Sequence, residues 1–313
     1  MNIQPLTIQN LVNNAQCYEV VRALRWPDGV RCPHCQSPEV NKRGKDESQP
    51  ERQRYACNAC ARRFDDLTGT VLAGHHQPLK TWVVCLYFMG LNLSNRQIAQ
   101  ELGLNVTDVQ QMTEQLREGI EQKKKPLPLA GEIEADEVYI VAGHKGQPAA
   151  VQAQGRKGRC RRLKGARGRG TKAKEKPPVL GLIQRGGEVV IRLLDNVKQV
   201  TIKPVIEAMV QAGSLIYTDE YRIYDRLPQW GYGHQSVNHS QGEYARDDDG
   251  DGFCEVHVNT MEGFWSLLRS WLRPHRGISQ AKLPLYLSFF EFVHNARVRG
   301  KQLLPELIRT LVT

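Results

Sequence analysis

Gly131-Glu132-Ile133-Glu134-Ala135-Asp136-Glu137-Val138-Tyr139-Ile140-Val141 decides how this 313-residue chain is read. The stretch alternates in part and turns β-branched toward its end, so it predicts a strand that carries several acids. Two more strands follow, over residues 179–183 and 189–194, joined across Arg185-Gly186-Gly187 as a hairpin. Residues 200–211 have helical spacing with Val205, Ile206 and Met209 on it, and residues 214–220 form an apolar strand that ends in Asp219 and Glu220.

A three-stranded meander, a helix and a further strand open an RNase H-like fold with a mixed sheet. In that fold an acid on the first strand meets an acid at the end of the fourth, which pairs Asp136 with Asp219. Two carboxylates on adjacent strands repel each other unless a cation sits between them, and Mg²⁺ (or Mn²⁺) prefers oxygen ligands. Each acid alone also reads as a strand-end residue paired with Lys or Arg. Further on, His257-Val258-Asn259-Thr260-Met261-Glu262-Gly263-Phe264-Trp265-Ser266-Leu267-Leu268-Arg269 begins a helix. Glu262, Trp265, Ser266 and Arg269 share one face, and Phe264, Leu267, Leu268 and Trp271 supply a packing face. Asn259-Thr260-Met261-Glu262 also reads as a capping box, with Asn259 as the cap and Glu262 returning to the backbone.

Upstream, Cys32-Pro33-His34-Cys35 and Cys57-Asn58-Ala59-Cys60 are two C-x-x-C knuckles. Such spacing lets four thiolates take one tetrahedral Zn²⁺ in a closed structural site, a zinc ribbon. Disulfides are disfavoured because no secretion signal precedes the pairs. Cys17 and Cys85 read as small core residues. After an apolar helical run over residues 78–90, Ser94 caps a helix carrying Ile98, Ala99 and Leu102. Gly103 turns the chain, and a second helix starts near Val106 with Val109, Met112 and Leu116 inward. Helix, Gly-containing turn, helix is the pattern whose second helix can enter a DNA major groove, with Thr107, Asp108, Gln110, Gln111 and Glu114 outward. Lys123-Lys124-Lys125-Pro126-Leu127-Pro128 reads as a linker.

The net charge of +10 points to a polyanion partner. It is concentrated: residues 143–178 hold twelve Lys and Arg against the single acid Glu175. This Gly-rich segment reads as a mobile arm suited to grasping phosphates, or as a solvated insertion that aids solubility. No stretch approaches the ~20 apolar residues of a membrane span, and no G-x-x-x-x-G-K-[ST] loop is present. Asp247-Asp248-Asp249-Gly250-Asp251-Gly252 is similar locally to a calcium loop but has Val258 where the twelfth-position Glu belongs, so it reads as a flexible loop.

With Arg25-Trp26-Pro27-Asp28-Gly29, Thr68-Gly69-Thr70, Pro78-Leu79-Lys80-Thr81-Trp82, Glu134-Ala135-Asp136-Glu137, Tyr217-Thr218-Asp219, residues 237–244 and the helix at 257–265, the chain resembles a bacterial insertion-sequence transposase of the DDE superfamily. It is similar to the ISXO-like group with an N-terminal zinc ribbon, and the resemblance covers nearly the whole chain. His294-Asn295-Ala296-Arg297 is similar to that group's closing helix, with His294 where an aromatic is more usual. The resemblance implies a multi-domain α/β chain: helix and zinc ribbon (1–73), helix-turn-helix segment (74–126), and RNase H-like catalytic domain (127–313) with a basic insertion (143–178). It implies DNA cleavage and strand transfer by two-metal phosphoryl transfer, with Asp136 and Asp219 as the first two ligands of Mg²⁺ or Mn²⁺. Glu262 is taken as the third, because Arg269 follows seven residues later as the superfamily's spacing requires, and Asn259 would cap or assist. Expected partners are double-stranded DNA, as element ends and target, and further copies of the chain in a homodimer or higher oligomer. No membrane is involved, and the expected location is cytoplasmic and nucleoid-associated. A catalytically inactive zinc-ribbon/helix-turn-helix DNA-binding regulator is the competing class.

Overall fold

The computed structural model of the chain describes residues 11–125, 128–153, 155 and 169–313. The chain divides into two units, one built from residues up to 124 together with 300–313, the other from residues 125–299.

In the first unit, helix α1 (Asn14–Arg25) starts at Asn13, whose side chain accepts from the Ala15 amide at 2.8 Å. Strands β1 (Val40–Lys45), β2 (Gln53–Cys57) and β3 (Arg63–Asp65) form an antiparallel meander that carries the cysteine knuckles. A fully buried carboxylate, Asp66, ties this ribbon to α1. It accepts from Arg22 at 2.8 Å, the Gln53 amide at 2.7 Å and the Tyr55 hydroxyl at 3.2 Å, the kind of full pairing a buried charge needs. Helix α2 (Leu79–Gly90) is largely buried. Helix α3 (Asn95–Leu102) begins with a reciprocal Ser94–Gln97 capping box and ends at Gly103, φ 64°, before α4 (Val106–Lys123). The expected inward residues Ile98, Ala99, Leu102, Val109, Met112 and Leu116 are all buried, as are Cys17 and Cys85.

The second unit is organised by a five-stranded sheet. Its members are β4 (Glu132–Tyr139), β5 (Pro178–Gln184), β6 (Val189–Leu193), β7 (Leu215–Thr218) and β8 (Gly233–Ser236). The order is β6-β5-β4-β7-β8, with β4–β5–β6 antiparallel and β7 and β8 parallel to β4. This is the RNase H-like arrangement expected from the strand series. Between β4 and β5 lies a short helix, α5 (Pro148–Ala153), and α6 (Gln199–Met209) provides the crossover that a parallel neighbour demands. One apolar core gathers Ile133, Leu180, Leu182, Val190, Ile202, Ile206, Ile216 and Tyr224. Strands β9 (Ala245–Arg246) and β10 (Val256–His257) make a small hairpin leading into α7 (Asn259–Leu272). Helix α8 (Leu283–Val298) covers the open edge of the sheet. Asn295 both accepts from and donates to the Val189 backbone at 2.8 Å, and Glu291 accepts from the Ile191 amide at 2.8 Å. These bonds satisfy groups that an edge strand leaves unpaired.

Helix α9 (Leu303–Val312) redraws the expected boundaries. It packs against α1, α2 and α4, so residues 300–313 complete the first unit and not the RNase H-like domain. Its apolar face of Leu307, Ile308, Leu311 and Val312 is buried, and the bare Gly119 lets Val71 and Leu311 come close to α4. The described residues 11–73 and 74–124 likewise belong to one unit: α1 packs on α2, and the Lys80 amide donates to Asn14 at 3.0 Å.

Candidate active site and metal centre

The β4/β7 register sets Glu134 opposite Tyr217, its last pair, and continuing it two residues past that pair carries Asp136 toward Asp219 just beyond the end of β7. Burial raises the Asp136 carboxyl to about 6, and the negative charges of Asp219 and Glu262 push the same way. Asp219 is also raised by burial, while its Oδ1 accepts from the Tyr221 amide at 2.9 Å and the neighbouring Arg169 and His239 offset part of the effect. A third acid, Glu137, is pushed up to about 8 by burial and accepts from the buried Tyr224 hydroxyl. The Arg169 guanidinium lies over the Tyr221 ring, 3.5 Å from its centroid. Carboxylates that burial holds back from ionising form a donor set that a hard divalent cation satisfies.

The sequence does not announce the contact that holds Asp136. The Trp265 indole N–H on α7 donates to Asp136 Oδ2 at 2.9 Å. Gly181, opposite Asp136 on β5, makes room for it. A Cβ at Gly181 would fall 2.2 Å from Met261 Cε and 2.5 Å from the Trp265 ring. A glycine in a strand interior is the signal that could have found this close approach.

Helix α7 departs from two expectations. Its N-cap is Val258, with no side-chain cap, and Asn259 is its exposed first residue, so the Asn259–Glu262 capping box does not form. The cap comes from the neighbouring sheet: Glu134 on β4 accepts from Thr260 Oγ1 and from the Met261 amide, both at 2.9 Å. Leu267, expected to pack, is 57% exposed, and Met261 takes its place in the buried face. Glu262 is half exposed, its Oε1 lying 3.8 Å from His239 Nδ1, and Arg269 is exposed in the last turn. His239 Nε2 is buried without a hydrogen-bond partner among the described residues. Among those residues, the sets of three or more ligating atoms lying within 4.8 Å of one another are the four ribbon cysteines and Asp247, Asp249 and Glu255. Asp136, Asp219 and Glu262 do not make such a closed set. His294 packs edge-on against Phe264 with ring centroids 5.0 Å apart.

In the ribbon, Cys32, Cys35, Cys57 and Cys60 bring four sulfurs together, as expected. Cys32–Cys60 and Cys35–Cys57 lie at 3.7 and 3.6 Å, well beyond a disulfide's ~2.05 Å, so all four are free thiols in the spacing a tetrahedral cation closes.

The loop at residues 247–252, expected to be flexible, is held by its own acids. Asp247 accepts from the Gly250 and Gly252 amides at 2.6 and 2.9 Å, and Glu255 accepts from the Asp248 amide at 2.8 Å. Residues 154 and 156–168, the centre of the basic insertion expected to be a mobile arm, lie outside the described residues. Its ends are fixed: Lys145 donates to the Gly277 carbonyl at 2.9 Å, Lys172 pairs with Asp195, and Lys176 is buried. No described helix is long and apolar enough to cross a membrane.

A four-cysteine ribbon, a helix-turn-helix and an RNase H-like sheet with paired acids together define the class of insertion-sequence transposases with an N-terminal zinc ribbon. The chain belongs to the ISXO2-like transposase family: residues 128–295 match its transposase domain and residues 12–63 match the transposase zinc-ribbon domain. Over 310 residues it is 33% identical to a protein in transposable element ISH50 of Halobacterium salinarum, covering 97% of this chain and 99% of that one. A transposase-like protein of Haemophilus influenzae is 28% identical over 121 residues, 37% of this chain and 90% of that one. A chain of the simian T-cell lymphotropic virus intasome in complex with PP2A regulatory subunit B56 gamma aligns over 67% of this chain and 68% of its own, at 10% identity and a TM-score of 0.29.

Proposed function

We propose that this chain binds the terminal inverted repeats of an insertion sequence and catalyses DNA strand cleavage and strand transfer. The observation that supports the proposal is the β4/β7 register, which, continued past its last pair, carries two half-buried acids, Asp136 and Asp219, toward one another. Glu262 serves as the third acid, with Asn259 at the helix start and Arg269 two turns on. A bound Mg²⁺ or Mn²⁺ pair would supply Lewis acidity and a lowered water pKa for in-line phosphoryl transfer. The protein's own part is to hold the acids: Tyr221 and Trp265 fix the two aspartates by hydrogen bonds, and Glu262 would join them from its half-exposed position beside His239. The four cysteines bind Zn²⁺ and keep the ribbon folded. The ribbon and the exposed residues of α4, Thr107, Asp108, Gln110 and Gln111, contact the element ends, while the basic insertion grips flanking or target DNA. Two ends must be handled together, which calls for a dimer or higher oligomer. The chain works in the cytoplasm at the nucleoid.

The open third position of the acid set favours one second reading, a DNA-binding regulator without catalysis. Incubating the purified protein with a labelled duplex of the element end and Mg²⁺ separates the two. Nicked and joined products are expected, and sequence-selective binding with no metal-dependent nicking supports the regulator instead.

A further inference from the structure

Glu134 is a fully buried carboxylate two residues before Asp136, so both acids project from the same side of β4. Each engages α7. Glu134 Oε1 accepts from Thr260 Oγ1 at 2.9 Å and from Arg185 Nε at 3.0 Å, with His257 Nδ1 at 3.2 Å, and Glu134 Oε2 accepts from the Met261 amide at 2.9 Å. Arg185 also donates to the His257 carbonyl at 3.0 Å and lies over the Tyr217 ring, so the anchor is itself anchored. One turn further along α7, Trp265 donates to Asp136. The spacing of two on the strand is matched by four to five on the helix, which holds the helix in one register.

Resting on the proposed function, we infer that Glu134 and Trp265 are positioning residues for the acid site. Glu134 fixes the start of α7 on β4, and Trp265 fixes the orientation of the Asp136 carboxylate. Neither touches the reacting DNA. Glu134 is thereby separated from Asp136, its near neighbour in a strand of acids: its oxygens are taken up by Arg185, His257 and α7, whereas among the described residues Asp136 accepts from one side chain, Trp265.

The test uses the full-length protein and two kinds of readout. The chain has five tryptophans, so its indole N–H spectrum identifies Trp265 as the signal lost in Trp265→Phe. Asp136→Ala should move that signal and leave the others in place. Glu134→Gln should move it as well, because α7 loses its register. Trp265→Phe keeps an aromatic ring in the pocket but removes the donor and the second ring of the indole. It should lower the melting temperature modestly and leave end binding as in the wild type, while raising several-fold the Mg²⁺ concentration needed for half-maximal cleavage. If Glu134→Gln fails to fold, Trp265→Phe and Asp136→Ala still decide. An indole signal unmoved by Asp136→Ala, or a Trp265→Phe protein with wild-type metal dependence, overturns the inference. A wild-type protein that never cleaves DNA overturns the functional reading instead and leaves the indole signal to judge the contact.

Discussion

At the scale of single residues, the absence of one side chain shapes the acid site. Gly181 leaves the space through which Trp265 reaches Asp136. Gly181→Ala should therefore destabilise the second unit by about 1–3 kcal/mol, the usual cost of overpacking, and denaturant titration measures it. Unchanged stability would mean that α7 tolerates displacement. Glu137 gives a pH signature. Its folded carboxyl is raised to about 8 by burial, so the folded state holds a proton that the unfolded chain has already released. Its contribution to stability is present below the ordinary carboxylate range and is lost as pH rises toward 8. In metal-free buffer, stability should fall from pH 5 to 8, and Glu137→Gln should flatten that fall. Equal slopes for both proteins would count against the buried acid. The strand order that carries Asp136 and leads to Asp219 was legible, because alternation and turn residues are local signals. The partners of Glu134 and Asp136 were not, because Thr260, Met261 and Trp265 lie more than 120 residues away, and only tertiary packing chooses which helix lands on the strand.

At the scale of elements, local chemistry decided what could be read. The helix-turn-helix announces itself through Ser94, Gln97 and Gly103, all within ten residues, and the structure forms each feature. The start of α7 carries an equally plausible local cap, yet a buried carboxylate from β4 supplies the bonds instead. Tertiary burial of that acid outcompetes an exposed Asn–Glu cap. Helix α9 shows the same limit: its apolar stripe is plain in the sequence, but a stripe does not name its partner. The ribbon is the element most dependent on what binds it. Its apolar cluster is small, built around Cys32, Tyr55, Cys57 and Phe64 with Trp26, Val30 and Val40 beside it. Folding there rests on metal closure. Chelating the metal should open residues 30–63 to limited proteolysis while leaving residues 178–299 as resistant as before. Resistance of the ribbon after complete metal removal would show that the cysteines are not its main support.

At the scale of the whole molecule, the chain leaves its first unit at Lys124, builds the RNase H-like unit, and returns at Gly300 to finish the first. The net charge of +10 is a property of the segment inserted after the first acidic strand, with the remainder near neutral. The ends of that segment are anchored, and one of its arginines, Arg169, stands beside Asp219 on the Tyr221 ring. Arg169 thus brings one cation of that segment beside the acids, where, on the proposed function, it would attract the phosphodiester on which they act. On the proposed function, Asp136 is needed for chemistry and not for binding. The most direct measurement compares wild type with Asp136→Ala on a labelled element-end duplex, reading both the gel shift and the Mg²⁺-dependent cleavage products. Equal binding with cleavage reduced at least a thousand-fold, on the order of 4 kcal/mol or more of barrier, is the predicted result. Cleavage and strand transfer that persist in Asp136→Ala would contradict it.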